Sequence, residues 1–168
     1  MSLLVEKIVR SVYNEIKTTF EWDIKEAEKI NQDLWKEKIS AGRVPIICYL
    51  KKKGTSLQWC MAMYDRLMLN GIESYIGVYL GEGLYSESKK DNYAFVLYAD
   101  GNGIFKRYYV ADFEPQDPND NILDPVHIPL KKYKNLKGKL WIYEPYGDFK
   151  SLPIFGGFFN KPKKIITQ

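Results

Sequence analysis

The chain has 168 residues, 45% apolar and 27% charged, with a formal net charge of +4, the profile of one globular domain long enough to bury a full core. A single histidine, His127, and two cysteines, Cys48 and Cys60, fall short of the roughly four soft ligands of a zinc site and of a disulfide framework. The longest apolar run, residues 45–50, is far below the ~20 residues of a membrane helix, and no apolar stretch of signal-peptide length precedes the first charges, so the chain reads as reduced, cytoplasmic and without membrane contact.

Apolar residues at Val5, Ile8, Val9, Val12, Tyr13, Ile16 and Phe20 recur at three and four, which predicts an amphipathic helix over 3–19. A second helix is expected from Ile24 to about Ile39, capped by Asp23 and stopped near Ala41-Gly42. At Val44 the period changes, and 44–50 reads as a short buried strand before a solvated turn, Lys51-Lys52-Lys53. Gly54-Thr55-Ser56 is a loop ending in an N-cap, and a helix over about 57–69 carries Cys60 near its start and stops at Asn70-Gly71. Residues 73–80, 92–98 and 104–113, rich in Tyr, Val, Ile and Phe, read as strands. Asp100-Gly101-Asn102-Gly103 between the last two is a hairpin turn signal, which makes the sheet antiparallel. Residues 114–129 read as a Pro-rich loop and 140–143 as a further strand. The expected fold class is α+β, with N-terminal helices and a central Cys-bearing helix packed on a mostly antiparallel sheet in one domain over 1–168.

The densest chemistry lies around Cys60. A thiol near a helix N-terminus sees the positive end of the helix dipole, which favours the thiolate that cysteine acyl transfer needs. A buried cysteine packed as a small hydrophobe answers to the same spacing. Gly54, Cys60, Ala62, Leu67, Leu69 and Gly71-Ile72, leading into a strand, resemble the nucleophile segment of the transglutaminase-like superfamily, whose papain-like core sets a catalytic cysteine at the start of a helix on an antiparallel sheet. Downstream, Tyr93-Ala94-Phe95-Val96 and Tyr109-Val110-Ala111-Asp112 occupy the places of that family's histidine-bearing strand and of its strand ending in aspartate. The resemblance spans 54–113 and rests on order and spacing.

It implies acyl transfer or hydrolysis at peptide or amide groups through Cys60, with Asp112 orienting a histidine. Here Tyr93 stands at the histidine's place. With a reference pKa near 10, a tyrosine cannot shuttle the thiol proton at neutral pH, and such help is worth roughly 10²–10⁴ in rate. One outcome is a degenerate triad with little or no activity. Another is that His127 reaches back to Cys60, since triads are defined by geometry and not by chain order. Gln58 and the backbone N–H of Cys60 are candidate oxyanion donors, and Gln58 is equally a polar residue of a helix start. The rival class is a non-catalytic module that holds a protein or peptide in the inherited cleft lined by Trp59, Tyr93 and Phe95.

Two further patterns carry less. Asp117-Pro-Asn119-Asp-Asn121 opens like a calcium loop, but Ile122 and Ile128 stand where the turn glycine and the bidentate acid belong. Gly81-Glu-Gly83 leads into no helix signature and is no phosphate cradle. The reading therefore calls for no metal and no cofactor. Residues 128–168 hold nine lysines against Glu144 and Asp148, interleaved with Trp141, Tyr143, Tyr146, Phe155, Phe158 and Phe159. Basic and aromatic residues together could hold single-stranded nucleic acid. A solvated lysine face over an aromatic core edge accounts for them as well, and with no RNA-recognition signature the expected partner is a protein or peptide.

Overall fold

The computed structural model describes residues 2–80, 93–113, 124–130, 139–146, 153–154 and 157–158. Val9, Val12, Tyr13 and Ile16 form the buried stripe of the first helix, α1 (Ser2–Thr19). After a two-residue strand, β1 (Glu21–Trp22), Asp23 caps α2 (Ile24–Trp35) as expected, its carboxylate accepting the Glu26 N–H at 3.0 Å. This helix ends before the expected 39–41. The Lys38 N–H reaches the Asp33 carbonyl at 2.8 Å and the Glu37 N–H the Leu34 carbonyl at 3.2 Å, with Glu37 left-handed at φ 56°. This is a Schellman stop built on a glutamate, a residue that carries no stop signal in sequence.

Residues 44–50, expected as a strand, form a helix instead, α3 (Val44–Lys51). Pro45 in its first turn has φ already set for a helix and lacks an N–H that would be unpaired there. Val44 and Cys48, four apart, are buried on one side of it, and packing against the following helix outweighs the β preference of Val and Ile. Lys52 closes α3 in the left-handed region at φ 57°. Then β2 (Lys53–Gly54) pairs in parallel with β1 and leads into α4 (Ser56–Leu69). Gly71, at φ 74°, follows the end of α4 where the stop was expected.

The strands β3 (Ser74–Leu80), β4 (Tyr93–Asp100), β5 (Arg107–Ala111), β6 (Ile128–Pro129) and β7 (Lys139–Tyr143) form one sheet in the order β6-β5-β4-β3-β7, every neighbouring pair antiparallel. The expected turn joins β4 to β5, but it continues through a 3-10 turn over Gly103–Phe105. Ile104 and Phe105, expected in a strand, are therefore 83% and 74% exposed, and pairing begins with Asp100 opposite Arg107. Ile128 and Pro129, expected in a loop, pair with Val110 and Tyr109. The calcium-like run 117–121, Gly81-Glu-Gly83 and the lysines of 131–137 lie outside the described residues. A small antiparallel pair, β8 (Pro153–Ile154) and β9 (Gly157–Phe158), completes the order.

Alternation along the strands buries both faces of the sheet. Ile76, Val78, Ala94, Val96, Tyr98 and Ala111 join the helices in the main core, while Tyr75, Phe95, Leu97, Val110, Ile128 and Ile142 make a second cluster. The architecture is α+β, with four helices and a five-stranded antiparallel sheet among the described residues. No helix among them is long and apolar enough to cross a membrane.

The second cluster is built around a close approach. Gly77 pairs with Phe95, and a Cβ on Gly77 would overlap the Phe95 ring. Gly77→Ala should therefore lower stability by about 1–3 kcal/mol through overpacking, and by less in a Phe95→Ala background. Urea unfolding of the two single variants and the double variant measures this; equal costs in both backgrounds would refute the contact.

Candidate functional site

The start of α4 is held by a capping box. Thr55 is the N-cap, and the side-chain oxygen of Gln58 accepts both its N–H and its hydroxyl proton, each at 2.8 Å. Gln58 is buried beneath Gly54, whose φ of 149° and approach to the Gln58 side chain admit no larger residue. The amide oxygen of the expected oxyanion residue is thus committed to the cap. Cys60 is the fifth residue of α4 and is fully buried in the main core. Dipole stabilisation fades beyond the first helical turn, so this position gains little of the effect expected for a thiol at the helix start.

Tyr13 of α1 connects the residues around Cys60. Its hydroxyl donates to the Asp112 carbonyl at 3.0 Å, and burial pushes the phenol up to about 12, with the charges of Asp112 and Cys60 adding to the shift. Asp112 is thereby tied to α1, which packs on α4. Asp112, 1% exposed, also donates its N–H to the Pro125 carbonyl at 2.8 Å. Phe113 stacks on Tyr13 at 4.7 Å and meets the edge of Trp59 at 5.5 Å. Trp59 packs edge-on against Phe20 and Trp22 and donates its indole N–H to the Glu21 carbonyl at 3.4 Å. Lys17 places its ammonium 2.9 Å from the Phe113 carbonyl and 6.0 Å over the Trp59 ring.

The remaining expected residues lie elsewhere. His127 stacks on Tyr109 at 3.8 Å, and its Nδ1 is 2.9 Å from the Tyr98 hydroxyl. That hydroxyl gives its proton to the Val126 carbonyl at 2.6 Å, so Nδ1 is assigned the proton and donates to the phenol oxygen. Phe95, expected beside Trp59 in one cleft, instead packs in the second cluster across the sheet from Cys60, because β alternation sets it opposite Ala94 and Val96. Tyr93 opens β4, paired with Tyr79. No group of three or more His, Cys, Asp and Glu among the described residues is placed to hold a metal.

An open concavity lies at the other end of α4. A cleft of about 520 Å³ is lined by Tyr64 and Met68 of α4, Glu73 and Tyr75 at the start of β3, and Glu144 and Tyr146 just after β7. Its lining comes from the stretch 64–75 and from Glu144 and Tyr146, which the sequence offered only as part of a basic, aromatic segment. The Tyr146 hydroxyl donates to the buried Asp65, whose other oxygen accepts Arg66 Nε at 2.9 Å, and the Tyr146 N–H donates to the Tyr64 hydroxyl at 3.1 Å. The Arg66 guanidinium lies 3.9 Å over the Tyr49 ring. Glu73 accepts from Lys106 Nζ at 2.9 Å, the Tyr75 hydroxyl at 2.7 Å and the Tyr108 hydroxyl at 2.9 Å. Burial pushes the Glu73 carboxyl up, but these three donors outweigh it and hold the group below the usual carboxylate range.

A carboxyl lowered in the folded state contributes stability that is complete above its unfolded pKa and is lost as pH falls through the folded value. The urea midpoint should therefore drop between about pH 5 and 3, and drop less in Glu73→Gln. Glu73 is 37% exposed, so solvent screening keeps the difference small; identical pH profiles for the two proteins would rule the network out as a contributor. Compared with known proteins, the chain matches no family model, no curated protein and no solved structure.

Proposed function

We propose that this domain is a transglutaminase-like scaffold turned into a non-catalytic module that holds a protein or peptide. The observation that carries the reading is the complete burial of Cys60. A thiolate acting on a carbonyl carbon must meet it at bonding distance, whereas Cys60 shares its core with Tyr13, Trp59 and Phe113. Two further facts favour a silent site. Tyr93 stands at the place of the family's histidine, and the single imidazole has its Nδ1 engaged by Tyr98 and its face by Tyr109. Ancestry in acyl transfer is supported by the order and spacing of Cys60, Tyr93 and Asp112 along the chain.

Alkylation by iodoacetamide between pH 5 and 9 tests this. In the native protein Cys60 and Cys48 should each react on the order of 100-fold or more slowly than a free thiol, since attack waits on opening of the core, and at the free-thiol rate in denaturant. A Cys60 that alkylates at the rate of a model thiol, and slows in His127→Ala, would overturn the proposal in favour of a Cys60–His127 enzyme.

A further inference from the structure

We infer that one end of the sheet is a self-association surface, on which the β4–β5 turn of one copy of the chain enters the cleft of a second copy and receives that copy's turn in return. The cysteine at the other end of α4 plays no part in it. Every neighbouring pair of strands is antiparallel, with Ser74 opposite Tyr98, Asp100 opposite Arg107 and Ile76 opposite Tyr143. β3 therefore begins, β4 ends, β5 begins and β7 ends at the same end of the sheet, which brings the turn and the cleft together there. Glu73 joins them, since it lines the cleft and accepts at 2.9 Å from Lys106, the residue that follows Phe105 of the turn.

The turn is a braced projection. Gly101 at φ 89° and Gly103 at φ 57° carry it through the left-handed region, and the Arg107 guanidinium donates to the Ile104 and Lys106 carbonyls at 3.0 Å each. Ile104 and Phe105, neighbours in the chain, are the two most exposed large apolar side chains among the described residues, and Leu69 at the end of α4 is exposed on the same end. An apolar group of this kind marks a surface that something else covers. The receiving element is on the same face. The cleft of about 520 Å³ has the size of a site that takes a compact group. Met68, partly exposed, lines it, and so does Gly71, over which a Cβ would meet nothing within 4 Å. Charge selects the partner. On the segments that frame the turn and the cleft, Arg66 pairs with Asp65, Lys106 with Glu73, and Arg107 stands opposite Asp100, the one further charge among the described residues being Glu144. Such a face attracts neither an acidic nor a basic partner. Residues beside a two-fold axis meet their own copies, so a strongly charged face repels itself and a nearly neutral one does not. With projection and cleft on one face of one chain, a two-fold axis satisfies both at once and closes the assembly at two copies.

The test is analytical sedimentation of the full chain in reducing buffer from about 5 to 500 µM, a range that suits an interface at the small end of the size scale. The average mass should rise reversibly with concentration from 19.6 kDa towards twice that value. Phe105→Asp should weaken association on the order of 100-fold, because each dimer loses two apolar anchors. Met68→Lys, which fills the cleft from a partly exposed position, should do the same, and a dispersed ¹H–¹⁵N spectrum reports the folding of each variant. An equal mixture of the two variants keeps one intact turn and one intact cleft, and should associate more tightly than either variant alone. A wild-type chain that stays at 19.6 kDa throughout, a Phe105→Asp chain that dimerises like wild type, or a mixture no tighter than its components overturns the exchange. Monomeric wild type that sediments with phosphatidylcholine vesicles, and ceases to in Phe105→Asp, overturns the second copy and assigns the turn to a bilayer surface.

Discussion

Burial of α4 on nearly every side is the constraint to which the rest of the molecule answers. Nine of its fourteen residues are buried, among them Gln58, Cys60, Tyr64 and Asp65. α1, α3, β3 and β4 all pack on it. A helix enclosed in this way cannot separate an apolar face from a polar one, so each polar group it carries must find its partner inside. Gln58 finds it in the cap of its own helix, Asp65 in Arg66 and the Tyr146 hydroxyl, and Tyr64 in the Tyr146 N–H. The need to satisfy Asp65 brings Tyr146 from beyond the last strand of the sheet onto α4, and with it one wall of the cleft.

The two ends of α4 differ in the same terms. At its N-terminal end the aromatic rings of Tyr13, Phe20, Trp59 and Phe113 contact one another, closing around the cysteine. At its C-terminal end the rings of Tyr64 and Tyr146 also meet, at 5.2 Å, but there the hydroxyls of Tyr75 and Tyr146 donate to the carboxylates of Glu73 and Asp65. Packing closes the first end of the helix, and the second end borders an open cleft.

What could be read in sequence follows from how local each signal is. The α1 stripe, the Asp23 cap, the Gly71 stop and the Gly101–Gly103 turn are set by residues within one turn of themselves, and each is where its pattern placed it. The end of α2 was not legible, because Glu37 takes the left-handed conformation without the glycine that signals it. The run at 44–50 satisfies strand and buried helix equally, and its packing on α4 is a tertiary fact. At the site, Cys60 and Asp112 were legible as candidates through the resemblance and Trp59 as a cleft wall. The spacing left a buried and an accessible Cys60 equally open, because the helix that packs over α4 and carries Tyr13 comes from 47 positions earlier in the chain. The cleft left no motif, because the wall from residues 64–75 is completed only by Glu144 and Tyr146, from beyond the last strand of the sheet.

The contacts of α1 with the end of β5 bear on how the chain reaches this structure. Arg10, Tyr13 and Lys17, spaced three and four along one stripe of α1, bind Asp124, the Asp112 carbonyl and the Phe113 carbonyl, partners 96 to 114 residues away. The long-range polar partners of this stripe are therefore synthesised about a hundred residues after it. Closing loops of this length delays such contacts relative to local ones, and in the interval the face that will cover Cys60 stays open to water and to other chains.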